Sequence, residues 1–168
     1  LYAIWKAKET YTVTFKVAEA QNDFGEIFSE DQNTTGKSII YKVEEGTAFN
    51  HAIKWPKAVA ANGYYFTNWD PDSYDKTYIN SDLTFTANFA KKTEVNLDSG
   101  LIKVHDKKKT YGESDPDLTY DWPSSLNINH FDVDIYRQGV DTDLGEQVGD
   151  HEINMTVKVK PEYEYLYS

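Results

Sequence analysis

A chain of 168 residues has room for one or two domains, and 39% hydrophobic content with 15% aromatic is enough to build packed cores. The absence of cysteine excludes disulfides, thiolate nucleophiles and zinc-thiolate sites. A net charge of -11 disfavours nucleic acid and anionic membranes as partners, since both need cations to neutralise phosphate.

The acidity is uneven: residues 1–92 carry 10 Lys+Arg against 12 Asp+Glu, and residues 93–168 carry 7 against 16. The basic cluster Lys107, Lys108 and Lys109 stands beside Asp106 and reads as a solvated loop. Thirteen tyrosines and eight phenylalanines against one methionine favour strands, because aromatic and β-branched side chains pack well on a pleated surface. No apolar run reaches the ~18 residues of a membrane helix, so no membrane insertion is expected. The chain opens on Leu1 without a signal peptide and is expected to be part of a longer, exported protein.

Residues 1–8 have a pattern that recurs at residues 85–92, an offset of 84, and read as the last strand of a preceding repeat or as a docking strand. Residues 11–17 alternate, with Tyr11, Val13, Phe15 and Val17 on one face, which predicts a half-buried strand. Residues 18–36 form a polar excursion around Phe24, Ile27 and Phe28, a loop or hairpin, before a strand over 38–43. Thr47 is placed to cap a short helix over 48–53, with Pro56 ending it. Residues 63–71 form an aromatic strand released by Gly63 and stopped at Pro71, whose Tyr64, Phe66 and, given a bend, Trp69 anchor the core. A polar loop leads to an alternating strand over 83–89. One short helix laid across a sheet predicts an α+β layer of the β-grasp type for residues 9–92.

A linker is expected over 93–100, at the Ser99-Gly100 turn, and a second, mostly β domain over 101–168. Its strands are expected at 101–104, 109–120, 135–137 and 145–153. The fold class is therefore mostly β / α+β, as two small β-grasp-like domains in tandem.

The ordered set YTVTFKV at 11–17, Gly46, GYYFTNWDP at 63–71 and LTFTANF at 83–89 resembles the internalin B-type, or Listeria-Bacteroides, repeat. The run from Lys109 through Tyr111-Gly112 and Asp115-Pro116 to Tyr120, followed by residues 135–137 and 145–153, resembles the YGX-type MBG domain, a module akin to part of the mucus-binding repeats. His151 stands where that family usually has tyrosine, and residues 163–168 either stand in for the family's last strand or precede it. The resemblance implies a structural stalk or adhesion module of an exported Gram-positive cell-surface protein. It would be extracellular, anchored to the cell wall through segments elsewhere, with neighbouring repeats of the same chain as partners. The alternative is a module that itself binds a host glycan or glycoprotein, such as mucin or immunoglobulin.

Catalytic chemistry has little footing in the sequence. His51, His105, His130 and His151 have no partner at a metal-pair spacing, and there is no nucleophile elbow, P-loop or dinucleotide fingerprint. We expect no enzyme activity and no cofactor. For calcium the candidates are Asp141, Asp143 and Glu152, at positions one, three and twelve of a loop, though Gly145 and Glu146 depart from the required ligand and turn. Asp70, Asp72 and Asp75, and Asp132 with Asp134, are further oxygen clusters. For ligand stacking the candidates are Trp55 and Trp122, each before a proline, and Tyr163, Tyr165 and Tyr167, which alternate as on one strand face. For each, packing in the core or at an element end is the competing reading.

Overall fold

A computed structural model of the protein describes residues 6–97, 100–139 and 147–168. The repeat seam at residues 1–5 and the calcium candidates Asp141 and Asp143 lie outside the described residues. The chain divides into two compact units, with the boundary between Lys92 and Thr93. The class is the expected one, mostly β with one short α-helix. Among the described residues no helix is long and apolar enough to cross a membrane.

The first unit contains β1 (Thr10–Val17), β2 (Gly25–Ser29), β3 (Thr34–Gly36), β4 (Ser38–Glu44), β5 (Thr47–Ala48), α1 (Phe49–Ala52), β6 (Lys57–Ala60), β7 (Tyr64–Asp70), β8 (Tyr78–Ile79) and β9 (Leu83–Lys91). Its main sheet has the order β4-β1-β9-β7. β1 runs antiparallel to β4 and parallel to β9, in the register Val13↔Leu83 to Val17↔Ala87. The alternation of residues 11–17 puts Val13, Phe15 and Val17 on the buried face, joined there by Ile39, Tyr41 and Val43 of β4 and Phe85, Ala87 and Phe89 of β9. Over that face lie Phe49, Ile53, Ile79 and Ile27. The excursion at 18–36 is a hairpin, β2–β3, which forms a second sheet with β6.

The aromatic strand β7 does anchor the core, but from the sheet's edge, while β1 and β9 occupy the centre. A bulge between Phe66 and Asn68 changes the strand's parity. Phe66 and Trp69, three positions apart, can then both turn inward: Trp69 is buried and Phe66 packs against the core.

Thr47 does not cap the helix. It pairs with Ile79 in the β5–β8 ladder, and the helix begins after Ala48 with no side-chain cap. The reason is local satisfaction of the backbone: the Phe49 N–H donates to the Thr77 carbonyl at 3.0 Å, so a donor that a threonine would have met is already paired.

The second unit contains β10 (Lys103–Val104), β11 (Tyr120–Asp121), β12 (Phe131–Arg137) and β13 (Ile153–Val159). They form two antiparallel pairs, β10–β11 and β12–β13. Its core is thin, with only Leu126 and Phe131 as buried hydrophobic side chains among the described residues. Most of 109–120 is irregular rather than extended, and the long strand lies at 153–159, where Ile153, Met155, Val157 and Val159 alternate. Within the stretch read as a linker, Thr93 and Val95 belong to the second unit's hydrogen-bond network. The Thr93 N–H donates to Leu166 O at 2.7 Å and the Val95 N–H to Ser168 O at 3.0 Å.

Candidate functional site

The sequence-derived candidates disperse, and each is explained first by its own surroundings. Trp55 belongs to the first unit's aromatic cluster, edge-on to Phe15 at 5.3 Å and Phe85 at 4.8 Å. Its remaining surface lines an open concavity of about 690 Å³ shared with Asp31, Gln32, Asn50, His51 and Lys54. The β2–β3 hairpin supplies the first two of these and α1 and its exit the others. Asp31 accepts a hydrogen bond from the Lys54 backbone N–H at 2.8 Å, and the Gln32 amide donates to Ile40 O at 2.9 Å. Beside them Glu30 takes both Lys54 and Lys57, the latter at 2.5 Å. These two ammonium groups hold the Glu30 carboxyl down to about 2, from an ordinary value of 4.5.

Trp122 is a packing residue of the second unit. Its indole N–H donates to Leu126 O at 2.8 Å, and its ring meets Phe131 at 5.1 Å. The three C-terminal tyrosines do not share a strand face, because residues Pro161–Leu166 form a 3-10 helix. Pro161 stands in its first turn, where a fixed φ and a missing N–H cost nothing. Tyr163 in the helix and Tyr167 just after it both meet His130, and Tyr165 does not join them there. Tyr163 stacks on His130, with ring centroids 4.0 Å apart. The Tyr167 hydroxyl lies 2.6 Å from His130 Nδ1 and its ring packs on Phe131 at 5.1 Å, while burial pushes the phenol's pKa up. Tyr165 is 53% exposed.

Glu152 stands just before β13, where its carbonyl accepts the Gln138 N–H at 2.8 Å. Among the described residues no three acidic or histidine side chains gather as a metal site, so the Asp70, Asp72 and Asp75 set and the Asp132 and Asp134 pair do not converge into one.

Two arrangements went unread in the sequence. Lys109, assigned to a solvated loop, contacts Asp115 at 2.6 Å, and Arg137 donates to the same carboxylate at 2.9 Å. Lys109 and then Arg137 hold the Asp115 carboxyl below the usual carboxylate range. This cluster sits in a wide concavity of about 780 Å³ whose charged lining is mixed, with Lys107, Lys108, Asp150 and Glu152 also present. The second arrangement runs beside β13, where two adjoining concavities of about 660 and 550 Å³ share Val95, Leu97 and Val157. The period-two run at 153–159 was the available signal for that strand. No local signal joins it to residues 95–97.

Comparison of the chain with family models, with curated proteins and with solved structures finds no match.

Proposed function

We propose that the chain is a non-catalytic structural module of an exported bacterial surface protein, one that carries tension along a stalk and contributes to adhesion through its neighbouring repeats. The observation that carries this reading is the parallel pairing of β1 with β9, the first and last strands of the first unit. When the first strand is pulled toward its N-terminus and the last toward its C-terminus, parallel neighbours slide past each other along their common axis. The slanted, evenly spaced ladder bonds are then loaded together rather than opened one by one. The resemblance of both halves to repeats of Gram-positive surface proteins supports the same reading, as does the series of compact units. It would place the protein outside the cell, anchored through other segments.

The natural lack of cysteine makes the test direct, since introduced thiols are unique handles. Single-molecule pulling through cysteines at Thr10 and Lys91 loads β1–β9 in shear. Pulling through Thr10 and Glu44, which are register partners of the antiparallel β1–β4 pair, peels those two strands apart from one end. Unfolding force should be several-fold higher in shear, and equal forces in the two geometries would refute the tension-carrying role.

A second reading, direct binding of a host glycan or glycoprotein, draws on the Trp55 concavity, where an aromatic edge adjoins Asp31, Gln32, Asn50 and His51. Saturable binding on a glycan array, lost in Asn50→Ala and His51→Ala variants that keep the fold, would favour it over the spacer.

A further inference from the structure

In the first unit the inward-facing strand residues are sealed: Val13 and Phe15 are 0% exposed and Phe85 1%. The second unit leaves the equivalent face short of cover. β12 and β13 place Ile135 opposite Met155, Val133 opposite Val157 and Phe131 opposite Val159. Of these six apolar side chains only Phe131 is buried. Val95, Leu97, Ile102 and Val104 line the facing wall and are only partly buried, and Asn96 and Thr156 add polar groups to the trough along β13. Each such side chain left partly in water forgoes a fraction of the roughly 1.5–3 kcal/mol that full burial supplies.

The backbone along this trough is also open. β13 pairs with β12 on one side and, among the described residues, with no strand on the other. A β-strand with one unpaired edge presents alternate N–H and C=O groups as a template for another strand. An added strand would point every second side chain into the trough and the others away from it. The unit's net charge chooses the sign of those outward residues, because residues 93–168 carry 16 acidic against 7 basic side chains; on the outward face of β13 itself stand Asn154, Thr156 and Lys158, with Asp132 and Asp134 one strand further in on β12.

We propose that the free edge of β13 is a strand-addition site for an extended basic peptide segment, with apolar residues at alternate positions filling the trough and lysine or arginine between them. The seven residues of β13 span about 23 Å at ~3.3 Å per residue, so a segment of about seven residues fills the edge. Main-chain bonds supply the pairing, side-chain alternation the register, and the unit's negative field the preference for a cationic partner.

The test uses the full 168-residue chain and a synthetic heptapeptide of alternating valine and lysine, titrated with amide chemical shifts and hydrogen exchange as readouts. The same peptide with glutamate for lysine, and one with proline at its centre, are the comparisons. Saturable binding is expected, at least tenfold tighter for the lysine peptide than for the glutamate peptide and abolished by proline, with new exchange protection confined to the outward amides of β13. Leu97→Asn and Val157→Asn, which remove apolar surface without adding charge, should each weaken binding at least tenfold. Leu97 lies outside the β12–β13 ladder, so that variant keeps the assay readable if Val157→Asn misfolds. Equal binding of both charged peptides, shifts that map away from β13, or no saturation would overturn the proposal. So would concentration-dependent self-association that protects the same amides without peptide, which would make a second copy the occupant.

Discussion

Phe15 and Phe85 are register partners across the parallel β1–β9 pair, and their rings stack with centroids 4.9 Å apart at 18°. Both are essentially inaccessible to water, and Tyr41, Trp55 and Trp69 meet Phe15 edge-on around them. The two strands that would carry tension are thus also the two whose side chains form the centre of the core. Phe85→Ala should destabilise the first unit by about 3–5 kcal/mol through lost transfer energy and the cavity left behind. Trp69→Ala should cost a similar ~3–5 kcal/mol, since that ring closes the cluster from the edge strand. Urea unfolding followed by near-ultraviolet circular dichroism measures both, and a loss under about 1 kcal/mol in either would contradict the packing described.

Gly25 in β2 is fixed by contact with the core. A Cβ there would collide with the Phe89 ring and sit 2.8 Å from the Val59 carbonyl oxygen on the paired strand β6. Backbone on one side and a buried ring on the other leave little room to yield. Gly25→Ala should therefore destabilise by about 1–3 kcal/mol despite alanine's better strand entropy. An unchanged or raised denaturation midpoint would show that the β2 layer can shift.

The Glu30 cluster predicts an acid response with a defined sign. Its folded carboxyl lies at about 2 against an ordinary 4.5, because Lys54 and Lys57 favour the charged form. The ion pairs therefore contribute in full above pH 4.5, and the contribution disappears as pH falls through about 2. Thermal midpoints of the native chain and Glu30→Gln should differ at pH 7 and converge between those two values. A difference independent of pH would assign the loss to something other than charge.

Tyr167→Phe keeps the ring on Phe131 and removes the hydroxyl 2.6 Å from His130 Nδ1. The expected loss is about 1 kcal/mol, that of one hydrogen bond, read as a fall in the second unit's stability with a shifted His130 ring resonance. An unmoved resonance would mean that the C-terminal 3-10 helix is not held through this pair.

The strands over 11–17, 38–43 and 83–89 were legible in the sequence because side-chain parity along a strand is a local property, written as period-two alternation. Trp55 stood out as a bulky aromatic before a proline, yet its neighbours Asp31 and Gln32 come from a hairpin more than twenty residues away. Thr47 has the chemistry of a helix cap, and Tyr163, Tyr165 and Tyr167 the spacing of a strand face. Pairing with β8 decided the first, and a proline-led turn docked on His130 the second. The parallel union of β1 with β9, the edge position of β7, the Lys109, Asp115 and Arg137 cluster and the open trough beside β13 were settled only by tertiary structure. Alternation tells which side of a strand turns inward but not which strand lies beside it. That choice depends on how distant segments bury their shared faces together, a free energy that belongs to the assembled unit and to no segment alone.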